Sequence, residues 1–392
     1  ELNPNFPEAH YNLGNVLRDL GKSKDAELSY RKAIQIKPNF AEAYYNLGII
    51  LKDLGKLKEA EISYRKAIEI NPDYSEAYSN LGNILRDLGK LQEAEISYRK
   101  AIEINPHFAE AHNNLGIILK DTGKFHDAIN HFKKAIELDN ELSIAKTGLI
   151  ESKGIICDWS EQKAQAIWLD TLGIKGAAIT PMSLLYLEDN PLKQLKIAKK
   201  LYKERYTKIS KPIANFKNKK IHIGYFSADF RAHPMMFLMG SMFKLHDKSK
   251  FKVYLYSFVK KEDKYTKIAR DSGCIFRDIK ELNDIEAVEL ARSDQLDIAI
   301  DRMGYCRGSR MKIFSYRVAP IQIHYLAYPG TLGADNIDYL IADKIIIPRG
   351  YEKFYSEKII RMPNCYQCND DKKEICKEPI SRKDFNLPEK GF

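Results

Sequence analysis

The sequence predicts an α + α/β chain, with stacked helix pairs over residues 1–142 and a parallel sheet flanked by helices over 219–380. Two observations predict it. A motif recurs four times at a spacing of 34 residues: "EAHYNLGNVLRDLGK", "EAYYNLGIILKDLGK", "EAYSNLGNILRDLGK" and "EAHNNLGIILKDTGK". After residue 219, apolar runs of strand length alternate with helical stretches. Between the two, residues 143–218 read as a mostly helical connector without the period, where Trp159 and Trp168 are expected to pack.

Within each repeat, small residues fall where two helices must approach. They are Gly14, Gly48, Gly82 and Gly116 in the first helix, and Ala26, Ala60, Ala94 and Ala128 in the second. Tyr30, Tyr64, Tyr98 and Phe132 supply the large side chain of the second helix. Gly21, Gly55, Gly89 and Gly123 follow the first helix, where a left-handed stop is needed. Pro38, Pro72 and Pro106 end the first three pairs, since proline cannot extend a helix, and Asn140 takes that place in the fourth. This pattern resembles the tetratricopeptide repeat over residues 7 to about 142, whose helix pairs stack into a superhelix with a concave inner surface. Asn12, Asn46, Asn80 and Asn114 share the period. They form either a ladder of amides able to hold an extended peptide backbone, or merely a common residue at this repeat position.

Composition narrows the function classes. No apolar run is long enough to cross a bilayer, and six irregularly spaced cysteines suit a reducing cytoplasm better than a disulfide framework. Glu1 reads as a cut end. The net charge of +10 is uneven: residues 1–150 carry −2 and the remainder +12. Much of the excess lies in residues 200–220, a solvated helix face and linker, and no nucleic-acid-binding motif accompanies it. The expectation is a cytoplasmic protein with neither nucleic acid nor membrane as partner.

In the second half, strands are expected over 220–228, 252–258, 296–301, 321–328 and 338–347, with helices near 234–245, 263–272, 283–293 and 308–317. Ligands of such sheets sit at the C-terminal strand ends. Three of those ends carry unusual chemistry. "SADFRAHP" delivers Asp229, Arg231 and His233 to one turn ahead of Pro234. "DRMGYCRGSR" sets Gly304 and Gly308 around Tyr305, with Arg307 and Arg310 close by. "AYPGTLGAD" is a Pro329–Gly330 turn with Thr331 and Gly333, expected to lead into a helix whose N-terminus favours an anion. None is a GxGxxG or Walker loop. Asp229 lies four residues before His233 and can orient its ring. His222 and His324 fall within strands and read as structural. Cys365, Cys368 and Cys376 lack a fourth ligand at zinc spacing, so no metal is expected.

Taken together, "GYFSADFRAHP", "MGYCRGSR", "RVAPIQIHYLAYPGTLGADNIDYLIAD" and "FYSEKIIRMPNCYQCND" resemble the bacterial branch of the protein O-GlcNAc transferase family, over residues 142 to 392. That resemblance implies an inverting, metal-free glycosyltransferase of the GT-B type, with two Rossmann-like lobes. Such enzymes move a sugar, usually GlcNAc from UDP-GlcNAc, to Ser or Thr hydroxyls of proteins. It implies catalytic roles for His233 and Asp229, and a donor-sugar pocket formed by Pro234 and Leu326 with Pro329, Gly330, Thr331 and Tyr305. It implies a nucleotide-sugar donor as co-substrate, no other cofactor, and acceptor peptides held by Asn12, Asn46, Asn80 and Asn114. Met235, Met236 and Phe237 depart from a more polar Thr-Ser-His in animal members, and Ala327 from a usual glycine. Residues 381–392 resemble the start of a second lobe that supplies the lysine and helix end holding the UDP phosphates. Transfer by this polypeptide alone is therefore expected to be negligible.

Overall fold

The computed structural model describes residues 6–160, 167–185, 187–206, 216–370 and 381–390, and divides into two units, Glu1–Ile179 and Thr180–Phe392. Cys376 lies outside the described residues.

The first unit is built from helix pairs: α1 (Pro7–Asp19) with α2 (Ser23–Ile36), α3 (Ala41–Asp53) with α4 (Leu57–Ile70), α5 (Ser75–Asp87) with α6 (Leu91–Ile104), and α7 (Ala109–Asp121) with α8 (Phe125–Leu138). The glycine of the first helix meets the aromatic ring of the second. A Cβ on Gly82 would lie 2.6 Å from Tyr98, and one on Gly116 2.8 Å from Phe132. Tyr30, Tyr64, Tyr98 and Phe132 are fully buried in this way. Each such ring contributes roughly 1.5–3 kcal/mol of burial. Gly21 ends α1 at φ +72°, with the Lys22 N–H reaching back to Leu17 O at 2.8 Å.

Charges link successive repeats on the outside. Glu27 accepts from Arg31 one turn on and from Lys56 in the next repeat; Glu61 does the same with Arg65 and Lys90, and Glu95 with Arg99 and Lys124. The packing also runs past residue 142. Helix α9 (Ser143–Ile155) lies on α8, with Gly148 against the Phe132 ring. Trp168 packs beneath the Lys146 ammonium at 5.6 Å, whereas Trp159 is 45% exposed and does not pack as expected.

The second unit holds a seven-stranded, all-parallel sheet. Its strands are β1 (Ile221–Ser227), β2 (Phe251–Ser257), β3 (Ile275–Asp278), β4 (Ile298–Asp301), β5 (Ile321–His324), β6 (Tyr339–Ala342) and β7 (Lys358–Arg361). Their order is β3-β2-β1-β4-β5-β6-β7, so the winding reverses between β1 and β4. Helix α10 (Pro191–Arg205) belongs to this unit, which divides the expected connector between two bodies. Asn190 caps it by accepting from Lys193 N–H at 3.0 Å. Helices α11 (Pro234–Met239), α12 (Met242–Leu245), α13 (Lys264–Arg270), α14 (Asp284–Ser293) and α15 (Met311–Ser315) connect the strands.

Two strands fall well short of their expected ends, each for a visible reason. The 321–328 run stops at His324 because Leu326 turns the chain at φ +95°, a strained angle for a residue with a Cβ. The 338–347 run stops at Ala342 because the Asp343 carboxylate accepts from Ile345 and Ile346 N–H at 2.8 and 2.9 Å. The helix expected after Gly333 is absent, and an irregular loop joins β5 to β6. β3 and β7 were not anticipated. They are the two edge strands, four residues long and partly exposed, with too little apolar signal to stand out.

The fourth repeat departs from the others in a way that titrates. His112 and His131 meet at 3.1 Å, Nδ1 to Nδ1, where Ser29, Ser63 and Ser97 stand at the position of His131 in the other repeats. His112 Nε2 lies 3.2 Å from Pro106 O, an acceptor only. The His112 proton therefore sits on Nε2, and His131 Nδ1 donates to His112 Nδ1. Burial, then the neighbouring His112, holds His131 down at about 4, with Arg99 adding to the shift and Asp127 and Glu95 opposing it. An unfolded histidine binds its proton near pH 6.5, so stability should fall as pH drops from there toward 4, by up to about 3 kcal/mol. His131→Ser is expected to flatten that slope in urea melts taken between pH 7 and pH 4.5.

Candidate active site

The turn after β1, the turn after β4 and the loop after β5 lie side by side, because β1, β4 and β5 are adjacent strands. They open on a cleft of about 790 Å³ at the winding reversal. Asp229, Arg231, His233, Met303, Cys306, Arg307, Gly308 and Ala327 line it, together with Lys260, Lys261, Glu262 and Asp263 from the loop after β2.

Each polar group of the first turn has a local anchor. The Asp229 N–H donates to Ser227 Oγ at 3.0 Å. That bond turns its carboxylate inward, where it is 8% exposed and sits 3.6 Å from His233 Nδ1 and 3.8 Å from the Arg231 guanidinium. His233 is the N-cap of α11, its Nδ1 accepting from Met235 N–H at 3.3 Å, and Pro234 follows at the first helical position. Asp229 and Met235 thus compete for the same ring nitrogen. When the carboxylate prevails, Nδ1 carries the proton and Nε2 presents a lone pair.

Behind Asp229 lies Arg302, fully buried, its guanidinium 5.3 and 5.5 Å from the Phe230 and Phe243 rings. Among the described residues its Nε and Nη1 have no hydrogen-bond partner. Burial pushes it down to about 10, against the pull of the Asp229 carboxylate. Cys306 at the cleft wall is pushed up to about 11 by burial and stays a neutral thiol near neutrality.

The second and third exits are held together by one buried pair. His324 Nδ1 lies 2.9 Å from Asp301 Oδ2, and its Nε2 lies 2.6 Å from Tyr328 O. Carboxylate and carbonyl both accept, so the ring donates from both nitrogens and is an imidazolium. Its value is raised even though burial, the largest influence, opposes that; the Asp301 hydrogen bond and charge outweigh it. Asp301 also accepts from Met303 and Gly304 N–H at 3.0 and 2.8 Å. The structural reading of His324 holds, and His222 is likewise internal, its Nδ1 3.0 Å from Asp294 O.

Several expected pocket residues have internal partners and do not line this cleft. Tyr305 is buried and donates to Leu332 O at 2.5 Å; Thr331 is buried and donates to Glu357 Oε2 at 2.8 Å. Pro234, Leu326, Pro329 and Gly330 flank the cleft residues His233 and Ala327 in sequence without lining it themselves. Gly333 makes room for another chain segment: a Cβ there would lie 2.3 Å from the Lys199 backbone of α10. Gly308, at φ +84° and with an added Cβ meeting only the Ala228 methyl at 3.9 Å, is the glycine among the cleft-lining residues. Arg310 is spent on Asp284, Ile279 O and Leu282 O. Residue-by-residue reading missed Lys260 and Lys261, although "KK" directly after the second expected strand was a signal for them.

In the first unit, the asparagine ladder is partly occupied. Asn46 Nδ2 donates to Tyr11 Oη at 3.1 Å and Asn15 Oδ1 at 2.9 Å, Asn80 to Tyr45 Oη at 3.0 Å, and Asn114 to Asn83 Oδ1 at 3.3 Å. Asn12 is exposed.

Residues 192–382 match glycosyl transferase family 41, and residues 14–55, 39–107 and 73–141 match tetratricopeptide repeats. The chain is 35% identical over 180 residues to the probable UDP-N-acetylglucosamine–peptide N-acetylglucosaminyltransferase SEC of Arabidopsis thaliana, covering 44% of this chain and 18% of that protein. It is 33% identical over 153 residues to the Caenorhabditis elegans UDP-N-acetylglucosamine–peptide N-acetylglucosaminyltransferase, covering 38% and 13%. The alignments thus span less than a fifth of the length of these relatives. A mutant of the Thermobaculum terrenum O-GlcNAc transferase superposes with a TM-score of 0.53 at 25% identity, covering 83% of this chain and 58% of that one.

Removing one partner of the buried pair leaves the other charge uncompensated. His324→Leu should therefore cost about 3–5 kcal/mol in chemical denaturation of the second unit. In the unsubstituted chain the pair's contribution is complete below about pH 6.5 and is lost as pH rises through the raised folded value, so the cost of His324→Leu should shrink at high pH.

Proposed function

Because this chain belongs to the protein O-GlcNAc transferase family, with tetratricopeptide repeats ahead of a glycosyl transferase family 41 domain, we propose that it is part of an inverting protein glycosyltransferase. The sugar is GlcNAc from UDP-GlcNAc, and the acceptors are Ser or Thr hydroxyls of proteins held by the repeats. One observation carries this reading. The Asp229–Arg231–His233 turn opens on a cleft at the winding reversal of a parallel sheet, where such folds bind their ligands.

In the proposed reaction the acceptor oxygen bonds to the anomeric carbon as the bond to the diphosphate breaks. His233 Nε2 takes the hydroxyl proton, and Asp229 steadies the imidazolium that results. Arg302 supplies a buried positive charge behind Asp229. Asn80 and Asn114, each with an amide hydrogen beyond the single bond it donates to the preceding repeat, contribute to holding the acceptor backbone. The unusual Ala327 at the cleft wall makes the sugar the part of this reading to test most closely.

The protein encoded by the complete gene, given radiolabelled UDP-GlcNAc and a cell lysate, should label proteins. His233→Ala should lower the rate about 10²–10⁴-fold. Labelling from UDP-glucose or GDP-fucose instead would move the donor assignment and keep the enzyme class. No label from any donor, with the protein folded, would contradict a transferase.

A further inference from the structure

The loop from β2 to α13 reads Lys260-Lys261-Glu262-Asp263, a run whose charges cancel on paper. The structure separates them. Glu262 pairs with Arg270. Asp263 is spent three ways: its Oδ1 accepts from Tyr265 and Thr266 N–H at 2.8 and 3.1 Å, and its Oδ2 from Ala232 N–H at 2.6 Å. Lys260 and Lys261 are exposed, line the cleft, and form no ion pair among the described residues. Arg231 and Arg307 stand in the same lining, also exposed. Asp229, the remaining acid of the cleft, is buried between Arg231 and His233. Lys260 and Lys261 therefore present charge at the cleft mouth that their neighbouring acids, Glu262 and Asp263, do not pair with.

The form of this charge distinguishes two anions. A diphosphate calls for backbone N–H groups converging on it or a bidentate guanidinium, and the Arg231 guanidinium already lies 3.8 Å from the Asp229 carboxylate. In this turn the Ala232 N–H is taken by Asp263. Two lysines on long, unconstrained stems instead suit charge spread along an extended chain, where attraction sets preference and encounter more than fixed geometry. We propose that the cleft selects acceptor peptides whose serine or threonine is flanked by aspartate or glutamate, and that Lys260 and Lys261 read that charge. The proposal rests on the cleft being the transfer site.

Binding to the 392-residue chain tests it without the chemistry. Two fluorescein-labelled peptides with a central serine, one flanked by glutamates and one by lysines, are compared by anisotropy. The acidic peptide should bind about 10-fold tighter or more at low salt, and the ratio should shrink as salt screens the contacts. Lys260→Glu combined with Lys261→Glu should abolish or invert the ratio, while Lys250→Glu, outside the cleft lining, should leave it unchanged. Equal affinities, or a preference that survives the double substitution, would overturn the proposal. UDP displacing the acidic peptide from the unsubstituted chain, with UDP binding itself lost in the double variant, would assign the lysines to the donor diphosphate and also overturn it. A charge preference that obeys these expectations alongside absent transfer in the complete protein would fault the enzymatic reading and uphold the recognition of acidic peptides.

Discussion

An imidazolium and a carboxylate, both removed from water, hold the candidate site in place. Asp301 ends β4 and His324 ends β5, on adjacent strands in register. Their contact at 2.9 Å, with His324 also bonded to Tyr328 O, fixes where both exits begin. From there Asp301 gathers the N–H groups of Met303 and Gly304, and the loop after β5 passes through the strained Leu326 to Ala327 at the cleft wall. Burying an ion pair seldom adds net stability, so the value of this one lies in geometry. A neutral hydrophobic pair would fill the space without directing two backbone turns toward one point.

The remaining wall follows from topology. With β1 and β4 adjacent and the winding reversing between them, the helices leave on opposite faces and the strand ends are uncovered. The Asp229 turn needs only that opening and the short bond from its own N–H to Ser227 Oγ. Arg302 is the costly element: a fully buried guanidinium with two nitrogens unpartnered among the described residues. Such groups persist where a site requires the charge. The repeats depend on different physics. A glycine against a tyrosine or phenylalanine ring sets the approach of each helix pair, and shared glutamates tie one repeat to the next.

Much of this was legible in the sequence, for reasons that differ by region. The repeats state their packing four times, so Gly48 and Tyr64 could each be read as packing positions from period alone, while their contact is seen only in the fold. The central strands β1, β2 and β4 are continuous apolar runs and were found nearly to their ends. Edge strands β3 and β7 carry little hydrophobic signal, and their pairing is a tertiary fact. The three strand exits were correctly grouped, yet the roles of their residues were not all local. Tyr305, Thr331 and Gly333 looked exposed to ligand because nothing nearby in sequence claims them; Leu332 O, Glu357 and α10 do so from a distance. Lys260 and Lys261 were not picked out at all, since the sequence does not show that the fold turns the adjacent Glu262 and Asp263 to other partners.

The central claim is that a charged histidine beneath the cleft fixes the two loops around it. Nitrogen-15 NMR of histidine-labelled chain, with His324 assigned by substitution, reads this directly. Both ring nitrogens should stay protonated above pH 6.5, the value at which an ordinary histidine loses its second proton. A His324 signal that titrates at or below that value would contradict the account.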